Sequence, residues 1–352
     1  MPLNRLHTQC VLQRGDVQPS RDDFEVAGVF NPGAIEVDGQ VVLLVRVAER
    51  PKESREGHVA LPRWDLERGS VVDWLPTHEV DSVDPRVVAL RRDGSLRLTF
   101  VSHLRVYRSH DGRSFEAVPG TGMYPQTEYE LYGLEDARIV RLDGRFYLTY
   151  VAVSEHGAAT ALVSTEDFRE FTRHGVIFPP ENKDVVLFPE RIDGDYVALH
   201  RPNPEMHFAP PEMWLARSPD LVHWGGHEVM HIGSAAWAAG RIGAGTPPLR
   251  TDRGWLEIYH GRTRTAAPGA VGTYSAGALL LDFAAPGRVI ARSTEPVLVP
   301  GADFEKEGFL PDVVFPTGMV RRDDRLLIYY GAADSATGLV EVSADELMAA
   351  LP

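Results

Sequence analysis

Two adjacent carboxylates, Glu135 and Asp136, stand at the start of a strand-like run over residues 137–142. A turn sequence and a second apolar run follow, so the pair is predicted to lie on the rim of a rigid hairpin, where β-proteins place reactive groups. We predict that this acidic pair carries the chemistry of the protein. The alternative is a surface ion pair, because Asp136 and Arg138 would project to the same side of a regular strand.

Four polar side chains elsewhere in the chain could bind an anion if the fold brings them together. They are Lys183, Arg201, His260 and Tyr274. Lysine and arginine offer positive charge, and arginine adds a fork of N–H donors, while histidine and tyrosine add neutral donors. In a chain whose formal net charge is −14, such a set indicates an anionic substrate. Each residue taken alone could instead belong to an ordinary ion pair.

Length and charge restrict the class of protein. The 352 residues are 43% hydrophobic, which is enough for one large β domain or two smaller ones. The acidic charge argues against nucleic acid or an anionic membrane surface as partners, since both require a basic face. Cys10 is the only cysteine, so an intrachain disulfide is excluded. We expect a cytoplasmic protein, because the sequence has neither an apolar run of about 18 residues, which could span a membrane, nor an apolar signal core.

The positions of turn sequences reveal an internal repeat. Asp-Gly pairs followed by apolar runs occur at residues 38–39, 93–94, 143–144 and 193–194, with related turns at 252–254 and 323–324. The last three Asp-Gly pairs are 50 residues apart. Such pairs between apolar runs predict β-hairpins, because glycine accepts positive φ.

A second pattern recurs with a similar period. A hydroxyl residue, an aspartate two positions later and an aromatic residue four positions after that occur at residues 109–115, 165–171 and 218–224. The hydroxyl and carboxylate can close a turn by hydrogen bonds to the backbone, while the aromatic ring fixes the turn to the sheet. We predict a structural role for these motifs.

Antiparallel units of this length without long helices between them predict an all-β, five-bladed β-propeller, with six blades as the alternative. The chain is predicted to form a single domain over residues 1–352. One of the hairpins at Asp38 and Asp93 is assigned to an insertion, at about residues 48–104, in an enlarged first blade. Only the last residues, beginning with a capping sequence at Ser343, are predicted to be helical.

In a propeller, the first strands of the blades surround a central channel, so their polar residues should converge there. Asn31, Arg46, Asp136, His200 and Asp334 lie at or near such strand starts, as do the four anion-binding candidates. His200 could instead be a core histidine whose hydrogen bonds are satisfied. A ring of hydrogen-bonding groups suits a polyhydroxylated ligand. The 13 histidines show no pairing typical of a zinc site, so we expect no metal.

Several sequence blocks together resemble glycoside hydrolase family 130, a family of inverting β-mannoside phosphorylases and related β-mannosidases. The blocks follow the family order and span about residues 29–340. They are NPGA (31–34), LLVR (43–46), GLEDARI (133–139), KDVVLFPE (183–190), LHRP (199–202), GAGTPP (243–248), YHG (259–261) and YGAAD (330–334).

The resemblance implies a role for each candidate residue. Asp136 matches the general acid, which protonates the leaving glycosidic oxygen by relay through a hydroxyl of the bound mannose. The positions that hold this mannose match Asn31, Arg46 and Asp334. The phosphate-binding positions match Lys183, Arg201, His260 and Tyr274. Inorganic phosphate would be a co-substrate, with no other cofactor, and would attack the anomeric carbon to release α-mannose 1-phosphate with inversion.

The resemblance also implies partners and leaves alternatives. The expected ligands are an oligosaccharide and inorganic phosphate, and a homo-oligomer is possible. A β-mannosidase would need a second carboxylate to activate water, for which Glu205, Glu212 and Glu257 are candidates. A non-catalytic mannoside-binding propeller is the third possibility. Glu135 is expected to point away from Asp136 on a regular strand.

Three departures from compact family members bear on specificity. The insertion at about residues 48–104 brings Trp64 and Trp74, which are either sugar-stacking surfaces or blade core. The stretch at residues 203–212 lengthens a loop beside the expected phosphate site. Asp312 stands where an asparagine is expected. These changes concern the acceptor sugar and the choice between phosphate and water.

Overall fold

The computed structural model describes residues 3–203, 208–233, 235–265 and 271–351. Within these ranges the chain is all-β, with 26 strands, numbered along the chain, and two short α-helices. Strands such as β3 (Gln40–Pro51) are apolar over most of their length and buried on both faces, as expected for a strand covered by neighbouring sheets.

Most strands belong to five successive antiparallel units, which we call units 1 to 5. Unit 1 contains β2 (Phe24–Val37), β3, β9 (Val101–Ser109) and β10 (Glu116–Ala117). Unit 2 contains β11 (Gly133–Leu142), β12 (Arg145–Ser154), β13 (Gly157–Thr165) and β14 (Thr172–Phe178). A parallel bridge between β9 and β11 joins units 1 and 2 in one eight-stranded sheet. Unit 3 contains β15 (Asn182–Leu187), β16 (Tyr196–Pro202), β17 (Trp214–Ser218) and β18 (Gly225–Val229).

The last two units include both ends of the chain. Unit 4 contains β19 (Arg241–Gly243), β20 (Leu249–Arg250), β21 (Trp255–Arg262), β22 (Tyr274–Leu281) and β23 (Val289–Arg292). Unit 5 contains β24 (Val314–Arg322), β25 (Arg325–Ala332), β26 (Ala336–Ser343) and β1 (His7–Leu12). Because β1 pairs with β26, the first and last strands of the chain close one sheet together.

The apolar core is divided among the contacts between units. Five large clusters of buried side chains each combine residues of two units, and one of them joins unit 5 back to unit 1. The clusters include Leu44 with Leu148, Leu162 with Val185, Leu199 with Trp255, Ile258 with Ile328, and Leu43 with Leu327. Burial of these faces supplies the main stabilisation of the contacts.

The segment between β3 and β9 forms two small additional sheets, which we call the inserted segment (residues 52–100). One contains β4 (His58–Asp65) and β5 (Gly69–Pro76). The other contains β6 (Val80–Asp84), β7 (Val87–Leu90) and β8 (Leu96–Leu98). The predicted hairpin at Asp93 joins β7 to β8 and so lies in this segment.

The hairpin turns show why aspartate precedes glycine in the repeat. Asp38, Asp143, Asp193 and Asp323 have φ between 49° and 53°, a left-handed conformation that aspartate tolerates better than most residues. Asp38, Asp143 and Asp323 lie in turns that connect two paired strands directly. Asp193 lies in the turn that leads into β16. The predicted turns at these positions are confirmed.

The hydroxyl–aspartate–aromatic motifs connect the third and fourth strands of units 1 to 3. In each, one carboxylate oxygen accepts hydrogen bonds from the backbone N–H groups two and three residues later, at Asp111, Asp167 and Asp220. The predicted structural role is confirmed.

Helices are few and short. The predicted C-terminal helix is α2 (Ala344–Ala349), and Ser343 Oγ accepts a hydrogen bond from Glu346 N at 3.2 Å. The prediction that no other segment is helical was wrong, because α1 (Asp303–Lys306) precedes β24. Short 3-10 turns occur at Arg14–Asp16, Thr77–Glu79, Glu128–Glu130 and Ala236–Ala238. Over the described ranges, neither helix has the length and hydrophobicity that crossing a lipid bilayer requires.

Candidate active site

Three site residues occupy the same structural position in successive units. Asn31, Asp136 and Asp184 lie at β-bulges in β2, β11 and β15, the first strands of units 1 to 3. Their φ angles are 50°, 52° and 57°, which asparagine and aspartate tolerate. A bulge interrupts the alternation of side chains along a strand and redirects the bulged residue. All three side chains therefore face one cavity.

The cavity has a volume of about 190 Å³ and is lined by all eight residues that match the general acid, the mannose-binding positions and the phosphate-binding positions of the family. These residues come from all five units. They are Asn31, Arg46, Asp136, Lys183, Arg201, His260, Tyr274 and Asp334. Residues that are up to about 300 positions apart in the sequence thus meet in one cavity.

The acidic pair is arranged differently from the prediction. Arg46 binds both carboxylates, with Nη2 at 2.6 Å from Glu135 Oε1 and Nη1 at 3.0 Å from Asp136 Oδ1. The expectation that Glu135 points away from Asp136 was wrong, because the bulge after Glu135 breaks the regular alternation. Arg138 does not pair with the Asp136 carboxylate, since its Nη1 donates to the backbone oxygen of Asp136 at 2.6 Å.

Asp136 is held through one of its two oxygens. Asn31 Nδ2 donates to Oδ1 at 2.9 Å and Arg46 Nη1 donates to the same atom. No hydrogen bond to Oδ2 comes from the part of the chain that the structure describes. One oxygen is thus fixed by the protein, while the other is available to a ligand.

Arg46 is a permanent cation among Glu135, Asp136 and Asp334, a group that we call the acidic half of the cavity. Burial alone would lower the pKa of Arg46, but the carboxylates of Glu135, Asp136 and Asp334 raise it. Its Nε donates to Ser102 Oγ at 3.1 Å. The guanidinium therefore has both its charge and its orientation fixed.

A second group of cavity residues is basic, and we call it the basic half; it contains Lys183, Asp184, Arg201, Arg241, His260 and Tyr274. Arg201 is buried and donates from Nε to Asp184 Oδ2 at 2.7 Å. Burial would raise the pKa of Asp184, but Arg201, His260 and Arg138 lower it below its usual range. No described residue accepts a hydrogen bond from the ammonium group of Lys183. Asp184 was not predicted as a site residue, although it directly follows Lys183.

His260 is a neutral donor or acceptor in this half. Burial lowers the pKa of His260 to about 3, so the ring is uncharged at neutral pH. Its Nε2 lies 3.4 Å from Asp184 Oδ2, and neither ring nitrogen has a hydrogen-bond partner among the described residues. Buried polar atoms are rarely left without partners, so this ring indicates a binding position for a ligand.

Arg241 is a further cation that the sequence analysis missed. It lines the cavity, and its buried Nε has no hydrogen-bond partner within the described ranges. Burial lowers the pKa of Arg241, and the neighbouring charges of Arg201 and Arg262 lower it further. Arg241 lies two residues before the block that starts at Gly243, so extending that block to the beginning of β19 would have found it.

Arg86 is the second missed cation, and it comes from the inserted segment. Its Nη1 lies 3.0 Å from Asp334 Oδ2 and its Nη2 lies 3.0 Å from Asp84 Oδ2. Burial raises the pKa of Asp334. The charges of Arg86 and Arg46 lower it in part, but the pKa stays above its ordinary value. No spacing pattern in the sequence connects Arg86 with a partner 248 residues away.

Two of the three candidate bases of a hydrolase, Glu212 and Glu257, lie outside the cavity lining. Glu257 is buried, with Oε1 at 2.8 Å from Gly245 N, and burial raises its pKa to about 8. Glu212 is exposed. Neither residue lines the cavity. Glu205 lies outside the described residues, as does part of the loop at residues 203–212.

Other sequence candidates lie away from the cavity. Trp64 stacks on Tyr124 with ring centroids 5.7 Å apart, and the Arg55 guanidinium lies 4.2 Å from the ring of Trp74. Asp312 contributes a backbone oxygen, which accepts from Tyr274 N at 3.0 Å. Across the described ranges, no group of three or more histidine, cysteine or carboxylate side chains could hold a metal ion.

Comparisons with known proteins identify the family of the chain. A family described as beta-1,4-mannooligosaccharide phosphorylase, glycoside hydrolase family 130, matches residues 75–352. A beta-1,2-mannobiose phosphorylase from Listeria innocua is 39% identical over 95% of this chain and 94% of its own length. A 1,2-beta-oligomannan phosphorylase from a Thermoanaerobacter species is 38% identical over 68% of this chain and 78% of its own length.

A solved structure extends the similarity to three dimensions. The beta-1,2-mannobiose phosphorylase from Listeria innocua, in complex with beta-1,2-mannobiose, superposes with a TM-score of 0.89 and 37% identity. The match covers 97% of this chain and 96% of that one. The family model and these relatives confirm the resemblance seen in the sequence blocks, and the chain belongs to glycoside hydrolase family 130.

Proposed function

We propose that the protein is an inverting β-mannoside phosphorylase that releases α-mannose 1-phosphate. The observation that carries the proposal is the division of one cavity into two halves. In one half, Asp136 has an oxygen available to a ligand; in the other, Lys183, Arg201 and Arg241 outnumber Asp184. The similarity to relatives named as β-1,2-mannobiose phosphorylases favours a β-1,2-linked mannoside as the substrate.

Asp136 acts as the general acid in this proposal. Asn31 and Arg46 fix Oδ1, which leaves Oδ2 to hold the proton that is transferred toward the glycosidic oxygen. Together with Asp334, these residues hold the mannose that is transferred. Positioning of the acid and the sugar within one rigid cavity lowers the entropic part of the barrier.

Phosphate acts as the nucleophile from the basic half. Lys183, Arg201, His260 and Tyr274 bind it, and Arg241 adds charge. The bond between the anomeric carbon and the glycosidic oxygen breaks while a bond from that carbon to a phosphate oxygen forms on the opposite face. Asp136 gives its proton toward the leaving sugar and regains one from hydrogen phosphate. The overall transfer is therefore from hydrogen phosphate to the leaving sugar, and Asp136 returns to its starting state.

The charge distribution favours phosphate over activated water. An inverting hydrolase needs a carboxylate base in addition to the acid. The other carboxylates that line the cavity, Glu135, Asp184 and Asp334, are each bound to an arginine. Among the residues that the structure describes, the basic half offers no carboxylate free of an arginine, which suits an anion. The β-mannosidase alternative therefore has less support, and so does a non-catalytic binding protein.

We also propose that the five units form a five-bladed propeller with the cavity at one end of its channel. The five apolar clusters, one of which joins unit 5 to unit 1, support five blades over six. The cytoplasmic location, the lack of a cofactor other than inorganic phosphate and the possible homo-oligomer stay predictions.

The test is cleavage of β-1,2- and β-1,4-mannobiose with and without inorganic phosphate, followed by NMR of the products. We expect cleavage only with phosphate, and α-mannose 1-phosphate as a product. Equal cleavage without phosphate would identify a hydrolase, and binding without cleavage would identify a non-catalytic protein. Asp136→Asn should be inactive, while Asp81→Asn, which changes an exposed carboxylate of β6, should retain activity.

A further inference from the structure

The inserted segment reaches the cavity through a single charged side chain. Arg86 lies in the turn between β6 and β7 and connects Asp84 of its own sheet with Asp334 of unit 5. Val87, Leu98 and Phe100 of the same segment also line the cavity. The inserted segment thus forms one wall of the site, which combines a guanidinium with an apolar surface.

Exposure places Arg86 toward the mouth of the cavity. The side chain of Arg86 is 29% exposed, compared with 14% for Asp136 and Asp334 and 8% for Arg46. When the mannose that is transferred occupies the deep end, the second sugar of a disaccharide must extend toward the mouth. Arg86 therefore lies where the leaving sugar is expected.

The hydrogen bonds of Arg86 leave donors for a ligand. A guanidinium has five N–H groups, and three of them point to Asp84 and Asp334. One N–H group on each terminal nitrogen remains. Neighbouring donors in a fixed fork can bind two hydroxyl oxygens of one sugar, while an apolar surface contacts the C–H face of its ring.

We propose that Arg86 is a specificity-determining residue that binds hydroxyl groups of the leaving sugar, a mannose unit. This inference rests on the proposed function. Through Arg86 the inserted segment selects the acceptor in the reverse reaction, in which mannose and α-mannose 1-phosphate form the mannoside and release phosphate. The two carboxylates hold the fork in place before the sugar binds, which reduces the entropic cost of binding.

The chain offers a matched control in the same small sheet. Arg91, which directly follows β7, pairs with Asp81 at 2.6 Å, and both side chains are exposed. Neither residue lines the cavity. Arg91→Lys therefore repeats the chemical change of Arg86→Lys without altering the proposed sugar contact. Lysine keeps the positive charge beside Asp334 but cannot present the fork.

The experiment measures synthesis from α-mannose 1-phosphate and mannose for the wild type, Arg86→Lys, Arg86→Gln and Arg91→Lys. We expect the KM for mannose to rise about ten-fold or more in both Arg86 variants, the effect of losing one or two hydrogen bonds to a charged group. The KM for mannose 1-phosphate should stay within roughly two-fold, and Arg91→Lys should match the wild type.

Two results would overturn the inference. An unchanged KM for mannose would show that Arg86 does not bind the acceptor. A parallel rise in both KM values, or an Arg86 variant that does not fold, would show that Arg86 only holds Asp334 or anchors the inserted segment.

A wild-type protein without synthetic activity would refute the proposed function, and binding would then decide the role of Arg86. The measurement is titration calorimetry with β-1,2-mannobiose. Binding that is about ten-fold weaker in Arg86→Lys than in the wild type and Arg91→Lys would support the inference. Equal binding, or no binding by the wild type, would overturn it.

Discussion

Asp184→Asn tests whether a fixed negative charge holds the basic half of the cavity together. Asp184 accepts a hydrogen bond from Arg201 at 2.7 Å and lies 3.4 Å from His260. Its φ of 57° suits asparagine as well as aspartate. The substitution therefore removes one charge without straining the backbone.

The expected loss in the free energy of unfolding follows from the burial of Arg201. Arg201 is 3% exposed, and a buried cation that loses its counter-ion costs about 3–5 kcal/mol. The amide oxygen of asparagine can keep the hydrogen bond, so we expect a loss of about 3 kcal/mol in the free energy of unfolding. Bound phosphate would supply part of the negative charge that Asp184→Asn lacks. A ten-fold tighter Kd for phosphate adds about 1.4 kcal/mol of stabilisation in excess phosphate.

The assay is urea and thermal unfolding of the wild type and Asp184→Asn, first without phosphate and then in excess phosphate. The variant should be less stable without phosphate and should gain more from phosphate than the wild type gains. Asp81→Asn, which breaks an exposed ion pair, is the control and should unfold like the wild type.

The acid limb of the stability curve provides a second measurement. The pKa of Asp184 is lowered in the folded protein from its usual 3.8. Its stabilising contribution is therefore present above that pH and is lost as the pH falls toward the folded pKa. Asp184→Asn should lose less stability than the wild type in this range. Equal unfolding of variant and wild type without phosphate, or an equal gain from phosphate, would refute the ion-pair reasoning.

Three further variants test other contacts. Asp136→Asn should lower phosphorolysis at least about 100-fold by removing the acid; near-normal activity would exclude its assigned role. In Gly331→Ala the added Cβ would overlap with Asn31 Oδ1, so we expect a loss of activity in kinetic assays. Gly15→Ala, whose Cβ has no neighbour within 4 Å, should have normal activity. The pKa of Glu257 is raised from 4.5 to about 8. Between these two pH values only the folded state keeps the proton on Glu257, so the stability of the wild type should fall as the pH rises through this range. Glu257→Gln should lack this decline in urea titrations, and a retained decline would contradict the assignment.

The repeat of turns made much of the fold predictable. Aspartate before glycine encodes a local backbone conformation, so the hairpins at Asp38 and Asp143 could be located without knowledge of distant contacts. The sequence blocks similarly identified residues such as Asn31 and His260, which the structure brings into one cavity. In both cases the information is local or is carried by a recognisable block.

Features that depend on irregular or distant geometry were not predictable. The direction of Glu135 followed from an assumed regular strand, and only the register of β11 against β12 reveals the bulge. Arg86 reaches the site because its turn in the inserted segment lies beside Asp334 of unit 5, a partner that is remote in sequence. Helix α1 is a single turn of four residues, too short for a periodic signal.

The bulges in units 1 to 3 restrict which amino acids can do chemistry in this protein. A left-handed φ admits asparagine, aspartate and glycine far more readily than longer or branched residues. Asp136 meets this condition and can be exchanged for asparagine without rebuilding the strand, whereas a glutamate in its place would be strained. The backbone thus favours a short acid at this position. Because the bulged residue stands outside the regular strand pairing, its side chain can differ from unit to unit while the strands pair in the same way.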